Sequence, residues 1–396
     1  MSYLIHLLCP QCNNHFDSAV VQTFCQNCQS PLLPQYNLTT AADFLEKEQI
    51  KVRSRGTWRW RELLPVLNPD YMLSLGEGDT PLLPQIRLGK YLGLRNLYLK
   101  EEGLNPTGSF KARGLAVAVS RALELGINRL IIPTAGNAGG ALAAYAALGG
   151  VSATIIMPKD TPAANLIESR MAGASIELID GLISDAGKSA AQKALNEGWF
   201  DVSTFKEPYR VEGKKIMGYE LAETFNWHLP DVIIYPTGGG TGLVGMWKAF
   251  NELKELGWLK TDILPRFVAV QAVGCAPVVR AFESGASTCE YWARASTLAT
   301  GLRVPKSFAD RLILKVLKES KGIAIAVSDQ EIIKAQRLLA TLEGIFACPE
   351  GAATLAALKK LVDAGWVKSE EQIILFNTGT GLKYLDRIDT SITSEN

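Results

Sequence analysis

The stretch Asn105-Pro106-Thr107-Gly108-Ser109-Phe110-Lys111-Ala112-Arg113-Gly114 places one lysine between a turn and a helix. Asn-Pro-Thr-Gly is typical of a tight turn, because proline fixes one backbone angle and glycine tolerates angles that other residues avoid. Ser109 is expected to cap the following helix, which ends at Gly126. Lys111 then lies in the first helical turn, where the helix dipole favours the neutral amine that condenses with carbonyl groups. An exposed lysine at the start of an ordinary helix fits this segment equally well.

The composition is that of an ordinary globular chain, since 47% of the 396 residues are hydrophobic and 20% are charged. This length is sufficient for two domains of catalytic size and a small additional unit. The formal net charge of +1 gives no electrostatic reason to expect binding to nucleic acid or to a membrane surface. No run of about 18 apolar residues occurs, so we expect no transmembrane helix and a cytoplasmic protein.

Cysteine and histidine usage narrows the chemistry. No histidine lies in a motif-like stretch, so histidine-based acid–base or triad chemistry has little support, and a lysine or a cofactor is the better candidate. Three cysteines are scattered, as expected for reduced thiols: Cys275, Cys289 and Cys348.

Residues 1–33 contain two Cys-x-x-Cys pairs and predict a separate zinc-ribbon-like unit. Four thiolates at this spacing can meet tetrahedrally around zinc, and so short a segment has almost no other core. A ribbon without metal or a pair of redox disulfides also fits the pattern, and His6 or His15 could replace one ligand. Four cysteine ligands would leave no open coordination position, which indicates a structural site. The predicted ligands are Cys9, Cys12, Cys25 and Cys28.

Residues 34–75 connect this unit to the rest of the chain, and the segment 51–61 is basic with interleaved tryptophans. Beside a zinc ribbon, this composition could indicate a contact with nucleic acid. We favour a segment that lies over the main domain, with its tryptophans packed inward and its arginines in solvent.

From about residue 95, short β-branched runs alternate with amphipathic helical segments, which predicts mainly parallel sheets with helices on both faces. The predicted strands are 129–133, 151–158, 175–180, 231–236, 266–272, 323–327 and 372–377. The predicted helices are 138–148, 162–172, 185–197, 213–226, 242–256, 329–343 and 350–364.

Three loops that follow predicted strands carry residues suited to ligand binding, which occurs at the carboxyl ends of strands in α/β sheets. The first is Thr134-Ala135-Gly136-Asn137-Ala138-Gly139-Gly140. Its small residues open a helix and expose N–H groups that can hold a carboxylate, and the amide of Asn137 can bond a ring substituent. A glycine-rich turn that only allows close packing is the structural alternative.

The second loop, Thr237-Gly238-Gly239-Gly240-Thr241-Gly242-Leu243, has the strand–glycine–helix order that holds phosphate with backbone amides. The spacing of Gly240, Gly242 and Gly245 also fits a dinucleotide fingerprint. That fingerprint needs an acidic residue at the end of the next strand, where this chain has Gln271. The loop therefore predicts a site for a single phosphate.

The third loop, Asn377-Thr378-Gly379-Thr380-Gly381-Leu382-Lys383, offers a hydroxyl that can bond a ring nitrogen, although a simple helix cap is equally compatible. Pyridoxal phosphate needs an amine for its aldehyde, a phosphate site, and partners for its phenolic oxygen and its ring nitrogen. The lysine and the three loops together predict this cofactor.

In this order, the lysine stretch and the three loops resemble the threonine synthase branch of the fold-type II pyridoxal-phosphate enzymes. The segment Gly76-Glu77-Gly78-Asp79-Thr80-Pro81-Leu82 is also similar to a motif of that family. The resemblance covers essentially the whole chain, since members of this branch can carry a short N-terminal cysteine ribbon. It implies an α/β fold with two doubly wound open-sheet domains. The implied units are a large domain (34–105 and 205–390), a small domain (106–204), the ribbon (1–33) and a tail (391–396).

The resemblance also implies a role for each motif. Lys111 would hold the cofactor and move protons, Asn137 would bond its phenolic oxygen, and Thr378 would face its ring nitrogen. The cofactor phosphate would lie on Gly238, Gly239, Gly240, Thr241 and Gly242. The substrate would be held by Thr134, Ala135, Gly136 and Ala138 at its carboxylate, and by Arg210 at its phosphate.

The implied reaction converts O-phospho-L-homoserine and water to L-threonine and phosphate by γ-elimination and β-hydration, in an enzyme that is often a homodimer. A threonine/serine dehydratase and a β-replacement enzyme similar to cysteate synthase are the alternatives. A non-catalytic protein that binds nucleic acid is disfavoured by the neutral net charge.

Three positions depart from the family pattern. Ala112 replaces an aspartate, Glu207 replaces an asparagine, and Asn165 lies where the family has a phosphate-binding lysine. The departures leave the cofactor assignment unchanged, but one contact to the substrate phosphate stays open.

Overall fold

The computed structural model describes residues 2–387. The predicted tail 391–396 and the last residues of the predicted large domain lie outside this range. Among the described residues, no helix combines the length and the apolar character needed to cross a membrane.

The helices and strands follow the predicted alternation. The strands are β1 (Leu4–Leu8), β2 (His15–Phe16), β3 (Leu33–Tyr36), β4 (Leu82–Pro84), β5 (Asn96–Glu101), β6 (Arg129–Pro133), β7 (Ser152–Pro158), β8 (Ser175–Ile179), β9 (Phe200–Asp201), β10 (Val232–Pro236), β11 (Arg266–Ala272), β12 (Ile323–Val327) and β13 (Gln372–Asn377). The helices are α1 (Leu38–Phe44), α2 (Lys47–Lys51), α3 (Ile86–Leu92), α4 (Lys111–Glu124), α5 (Asn137–Leu148), α6 (Ala163–Met171), α7 (Ile183–Glu197), α8 (Arg210–Thr224), α9 (Thr241–Glu255), α10 (Pro277–Glu283), α11 (Asp310–Glu319), α12 (Asp329–Glu343) and α13 (Pro349–Asp363).

The smaller of the two main sheets is four-stranded and fully parallel, with the order β8-β7-β6-β9. Apolar side chains of its strands pack with α4 and α5 in one cluster, whereas Ile131 and Ile156 pack with Ala186 and Ala190 of α7 in another. Helices therefore cover both faces, as β-α alternation requires.

The larger sheet has the order β12-β11-β10-β13-β5-β4, and only β4 runs antiparallel to its neighbour. Chain order reverses between β10 and β13, which are paired in parallel with Val232 opposite Ile373. The loops that leave these two strands are therefore neighbours at the carboxyl edge, where α/β sheets bind ligands. Strands β6–β9 lie within the predicted small domain and β4, β5 and β10–β13 within the predicted large one, while the domain boundaries stay a prediction.

The N-terminal unit is a three-stranded antiparallel sheet with β1 in the centre. Its last strand runs past the predicted boundary at residue 33, and the hydroxyl of Tyr36 donates to Glu212 Oε2 of α8 over 2.6 Å. A buried hydrogen bond therefore joins the N-terminal unit to α8.

The basic segment 51–61 lies over the main body of the protein. Trp60 is fully buried, as predicted, but the expectation that the arginines lie in solvent is wrong for Arg59. Its guanidinium is buried and pairs with Asp79 and Glu223. Carboxylates from two other segments meet at this point, and pairing with them makes the burial of the cation tolerable.

Candidate active site

The lysine turn is tight, as its sequence predicts, although Thr107 has a positive φ that a β-branched residue rarely adopts. The Gly108 N–H donates to the Asn105 carbonyl over 2.9 Å, and Thr107 and Gly108 both have positive φ angles, of 59° and 62°. A Cβ atom at Gly108 would lie 2.9 Å from Thr380 Cγ2. A glycine at this position therefore avoids both the strain of a positive φ and this close contact.

The prediction that Ser109 caps the helix is wrong. Phe110 occupies the N-cap position of α4, and the Ser109 hydroxyl accepts only a long hydrogen bond of 3.4 Å from the Lys111 N–H. Ser109 instead forms an antiparallel bridge with Gly379 of the third loop. This tertiary pairing holds Ser109 extended and fixes the lysine turn against the end of β13.

All of the predicted cofactor and substrate residues line one cavity of about 320 Å³. They are Lys111, Thr134, Ala135, Gly136, Asn137, Ala138, Arg210, Gly238, Gly239, Gly240, Thr241, Gly242 and Thr378. The cavity lies where the carboxyl edge of each main sheet meets the start of α4, so one ligand can contact all three loops.

Lys111 is a cation without a partner carboxylate. Within residues 2–387 its amine forms no ion pair, and it lies 4.6 Å from the centre of the Phe110 ring. Burial, and then the positive charge of Arg210, lower the pKa of Lys111 from 10.5 to about 7, although Glu350 and Cys348 act in the opposite direction. A substantial neutral fraction at neutral pH makes this amine a competent nucleophile and base.

The glycine loop between β10 and α9 is shaped to hold an anion. Gly240 is left-handed with a φ of 83°, and a side chain at Gly238 would lie 2.3 Å from the Gly301 carbonyl oxygen. Among the described residues, the N–H groups of 238–243 have no acceptor. They lie at the N-terminus of a 15-residue helix, which also favours negative charge.

The amide of Asn137 and the hydroxyl of Thr378 lie on the other sides of the cavity. Asn137 Nδ2 donates to the Tyr384 hydroxyl over 3.2 Å, while its buried Oδ1 has no partner within residues 2–387. Thr378 Oγ1 lies 3.6 Å from Cys348 Sγ, and the Thr378 carbonyl accepts the Phe110 N–H over 3.0 Å. The third loop is therefore joined directly to the lysine turn.

Glu350 is a cavity residue that sequence reasoning missed. It is the one carboxylate among the cavity's described lining residues. Its Oε1 accepts the Gly301 N–H over 2.6 Å, and its Oε2 is buried without a described partner. The sequence signal was Pro349-Glu350 at a helix start, which is as common in ordinary helices as in binding sites. Sequence alone therefore gave no reason to single it out.

Arg210 and Glu207 lie side by side at the start of α8. Arg210 Nη1 donates to the Val202 carbonyl over 2.7 Å, and its buried Nε has no described partner. The Glu207 carboxylate accepts the N–H groups of Tyr209 and Arg210, and burial raises its pKa to about 7. Glu207, which replaces the family's asparagine, therefore still caps the N–H groups at the start of α8.

Asn165 is fully buried and does not line the cavity. Both of its amide atoms lack partners among the described residues. The side chain faces the first loop, since a Cβ placed on Gly136 would lie 3.7 Å from its Nδ2.

The four N-terminal cysteines converge. Their sulfur atoms lie within 4.8 Å of one another, with 3.4 Å between Cys9 and Cys28 and 3.5 Å between Cys12 and Cys25. A tetrahedral site with zinc–sulfur bonds of about 2.3 Å requires sulfur separations of roughly 3.8 Å. His6 and His15 stack on each other at 4.2 Å and are not part of the cluster. The geometry fits zinc held by four cysteines.

Comparison with known proteins identifies relatives along nearly the whole chain. Residues 73–379 match the family described as pyridoxal-phosphate dependent enzyme. The threonine synthase of Methanocaldococcus jannaschii is 35% identical over 95% of this chain and 92% of its own, and that of Methanosarcina acetivorans is 35% identical over 96% and 92%. The structure of maize serine racemase is similar in fold, with a TM-score of 0.65, 22% identity and coverage of 79% of this chain and 90% of its own.

Proposed function

The chain belongs to the family of pyridoxal-phosphate dependent enzymes, and we propose that it acts as a threonine synthase that converts O-phospho-L-homoserine and water to L-threonine and phosphate. One observation carries the proposal: Lys111, with a pKa of about 7, lines the same cavity as Arg210 and the glycine loop between β10 and α9. The similarity of the two archaeal threonine synthases, over 95% and 96% of this chain, supports it.

The residues of the cavity fit pyridoxal phosphate. The N–H groups of 238–243 are free to bind its phosphate, the buried and incompletely bonded amide of Asn137 suits its phenolic oxygen, and Lys111 supplies the amine for its aldehyde. When bound, this cofactor withdraws electrons from the substrate, so that hydrogens near the amino group become acidic. Thr378 would offer a neutral hydroxyl to the ring nitrogen, which suits elimination and replacement.

The chain's own residues then have distinct tasks. Lys111 would take the proton from the substrate α-carbon and deliver protons to later positions, because its pKa allows both forms near neutral pH. The loop from Thr134 to Ala138 would hold the substrate carboxylate with N–H groups at the start of α5. Arg210 would bind the phosphate that leaves, using the Nε that has no described protein partner.

Arg210 also separates this function from that of a threonine/serine dehydratase, whose substrates carry no phosphate. The test is to incubate the holoenzyme with O-phospho-L-homoserine and to measure phosphate and threonine together. We expect equal amounts of both, and a large loss of kcat/KM in Arg210→Gln. Formation of a 2-oxo acid from threonine, without synthesis of threonine, would establish the dehydratase instead.

We also propose that the cysteine cluster binds one structural zinc ion. Cys12→Ser should remove the metal, as measured by elemental analysis, and should lower the melting temperature. Cys289→Ser is the matched control, because that buried thiol lies outside the cluster. Equal metal content in both variants would refute the zinc site. Within residues 2–387 no disulfide joins any of the seven cysteines, which supports the proposed cytoplasmic location. The homodimer stays a prediction.

A further inference from the structure

A second cavity, of about 900 Å³, lies between the N-terminal unit and the main body of the protein. We call it the vestibule. The N-terminal unit contributes Pro10, Gln11 and residues 28–31, and the opposite wall comes from α7 and residues 306–312, with Lys315 of α11. The cysteine ribbon therefore forms one wall of the vestibule.

The vestibule adjoins the active-site cavity. The two cavities share the lining residues Ser184, Gly187, Lys206, Lys306, Ser307 and Phe308. Phe308 packs edge-on against Phe24 of the ribbon, with 5.5 Å between the ring centres. The segment around Phe308 thus separates the two spaces and is held in place by the ribbon.

The walls of the vestibule are strongly basic. The cations are Lys188, Lys206, Lys306, Arg311 and Lys315, whereas Asp310 is the one carboxylate among the described lining residues. The oxygens of Asp310 already accept the N–H groups of Cys289 and Arg311, over 2.8 and 2.7 Å. Both of its oxygens therefore form hydrogen bonds with the backbone.

Two of these cations are not neutralised by a carboxylate, since Lys306 and Arg311 form no ion pair within residues 2–387. The other three each have one acidic neighbour, at 3.2 Å for Lys188 and Asp185, 3.4 Å for Lys206 and Asp201, and 3.7 Å for Lys315 and Glu319. The whole chain has a net charge of only +1, so the field is local to this cavity. A concave surface that carries unpaired cations concentrates anions and accelerates their capture.

We propose that the vestibule is a second anion site, which binds the phosphate dianion of the substrate on its way to Lys111 and the inorganic phosphate on its way out. This inference rests on the proposed function, since that reaction takes up and releases a phosphate group. Lys206 and Lys306 lie on the shared wall and would pass the anion between the cavities, while Arg311 lies on the vestibule side alone.

The test measures binding of inorganic phosphate to the holoenzyme by ³¹P NMR line broadening, with no substrate present. We expect the double variant Arg311→Met/Lys315→Met, whose two positions line the vestibule and not the active-site cavity, to bind phosphate on the order of tenfold more weakly. Its kcat/KM for O-phospho-L-homoserine should fall several-fold with little change in kcat, because the variant slows the binding of substrate and leaves the chemical step unchanged. The control is Lys334→Met, which removes an exposed charge of α12 that lines neither cavity.

The outcomes separate this inference from the proposed function. Phosphate binding that falls in the double variant supports the vestibule, even if the holoenzyme makes no threonine. Phosphate binding that is equal in the double variant and in Lys334→Met overturns the vestibule, even if the enzyme is active. Binding that is lost only in Arg210→Gln would assign the anion to the active site and would also overturn the inference.

Discussion

Lys111 and Arg113 lie two residues apart at the start of α4, and both side chains can carry a positive charge, yet their surroundings are opposite. Lys111 lines the cavity and is only partly buried. Arg113 is fully buried, and its Nε and Nη1 donate to Glu102 and Glu220, each over 2.6 Å. These carboxylates hold the pKa of Arg113 well above its usual value despite burial. Lys111 has no carboxylate partner in the described part of the chain, and its pKa is lowered to about 7.

Helix geometry separates the two environments. Residues i and i+2 of an α-helix point to nearly opposite sides, because each residue turns the helix by about 100°. One side of the helix start meets a closed ionic network, in which Lys100 also pairs with Glu220 over 2.6 Å. The other side opens into the cavity. A buried cation that is paired with carboxylates stabilises the fold, whereas a cation without a carboxylate partner has a shifted pKa, which is typical of catalytic groups.

The largest effect is expected when the unpaired cation is removed. Lys111→Met should lower the rate of threonine formation by at least about a thousandfold, since the chain would lose its amine for the cofactor and its proton carrier. The visible absorption of a lysine-bound pyridoxal should disappear as well. Lys334→Met is the charge-matched control on the surface. Retention of activity in Lys111→Met would mean that another residue performs the chemistry.

Removing the paired cation should act on stability instead. Arg113→Met leaves Glu102 and Glu220 buried without their main partner, which is expected to cost about 3–5 kcal/mol in the free energy of unfolding. Urea denaturation, with Lys111→Met as the matched variant, measures the difference. If both substitutions cost the same, the distinction between framework and reactive cation at this helix start does not hold.

Much of this site could be predicted from the sequence, because its parts are local. Each loop follows its own strand, and the ends of parallel strands meet at one edge of a sheet, so Asn137, Gly240 and Thr378 could be placed together before the structure was known. The predicted ends of strand β10 and of the helix α9 that follows it each lie within one residue of the ends in the structure.

What the sequence could not supply depends on distant partners. Glu220 lies 107 residues beyond Arg113, and the bridge that displaces Ser109 from its expected capping role comes from Gly379. No local pattern encodes such pairs. The helix α11, which is not among the predicted helices, is a different case, because its buried Leu312, Ile313 and Val316 have the local spacing of a helix face.

The contrast can be sharpened by the pH dependence of stability in the apoprotein. In the unfolded chain the amine of Lys111 keeps a pKa near 10.5, whereas in the folded protein its pKa is about 7. Below about pH 7 both states are charged, and holding the charged amine in its folded site lowers the free energy of unfolding. This destabilisation decreases as the pH rises from about 7 to 10.5, because only the unfolded state stays protonated in that range. The unfolding free energy of wild type relative to Lys111→Met should therefore rise with pH, by at most about 1.4 kcal/mol per pH unit. Urea denaturation at several pH values tests this, and a difference that is flat across the range would show that Lys111 titrates normally.

The smallest effects concern the charges that adjust Lys111. Arg210 lowers its pKa and Glu350 raises it, so Arg210→Gln should move the titration of the amine to higher pH, and Glu350→Gln should move it to lower pH. Each shift should be less than about one pH unit, because partial solvent access weakens both interactions. The rate at which the apoprotein binds pyridoxal phosphate, measured against pH, reports the neutral fraction of the amine. Glu371→Gln, which neutralises a carboxylate that pairs with Arg266 and lines neither cavity, should leave the midpoint unchanged. Shifts of the same sign in Arg210→Gln and Glu350→Gln would show that local rearrangement, and not the sign of the neighbouring charge, sets the pKa of the unpaired lysine.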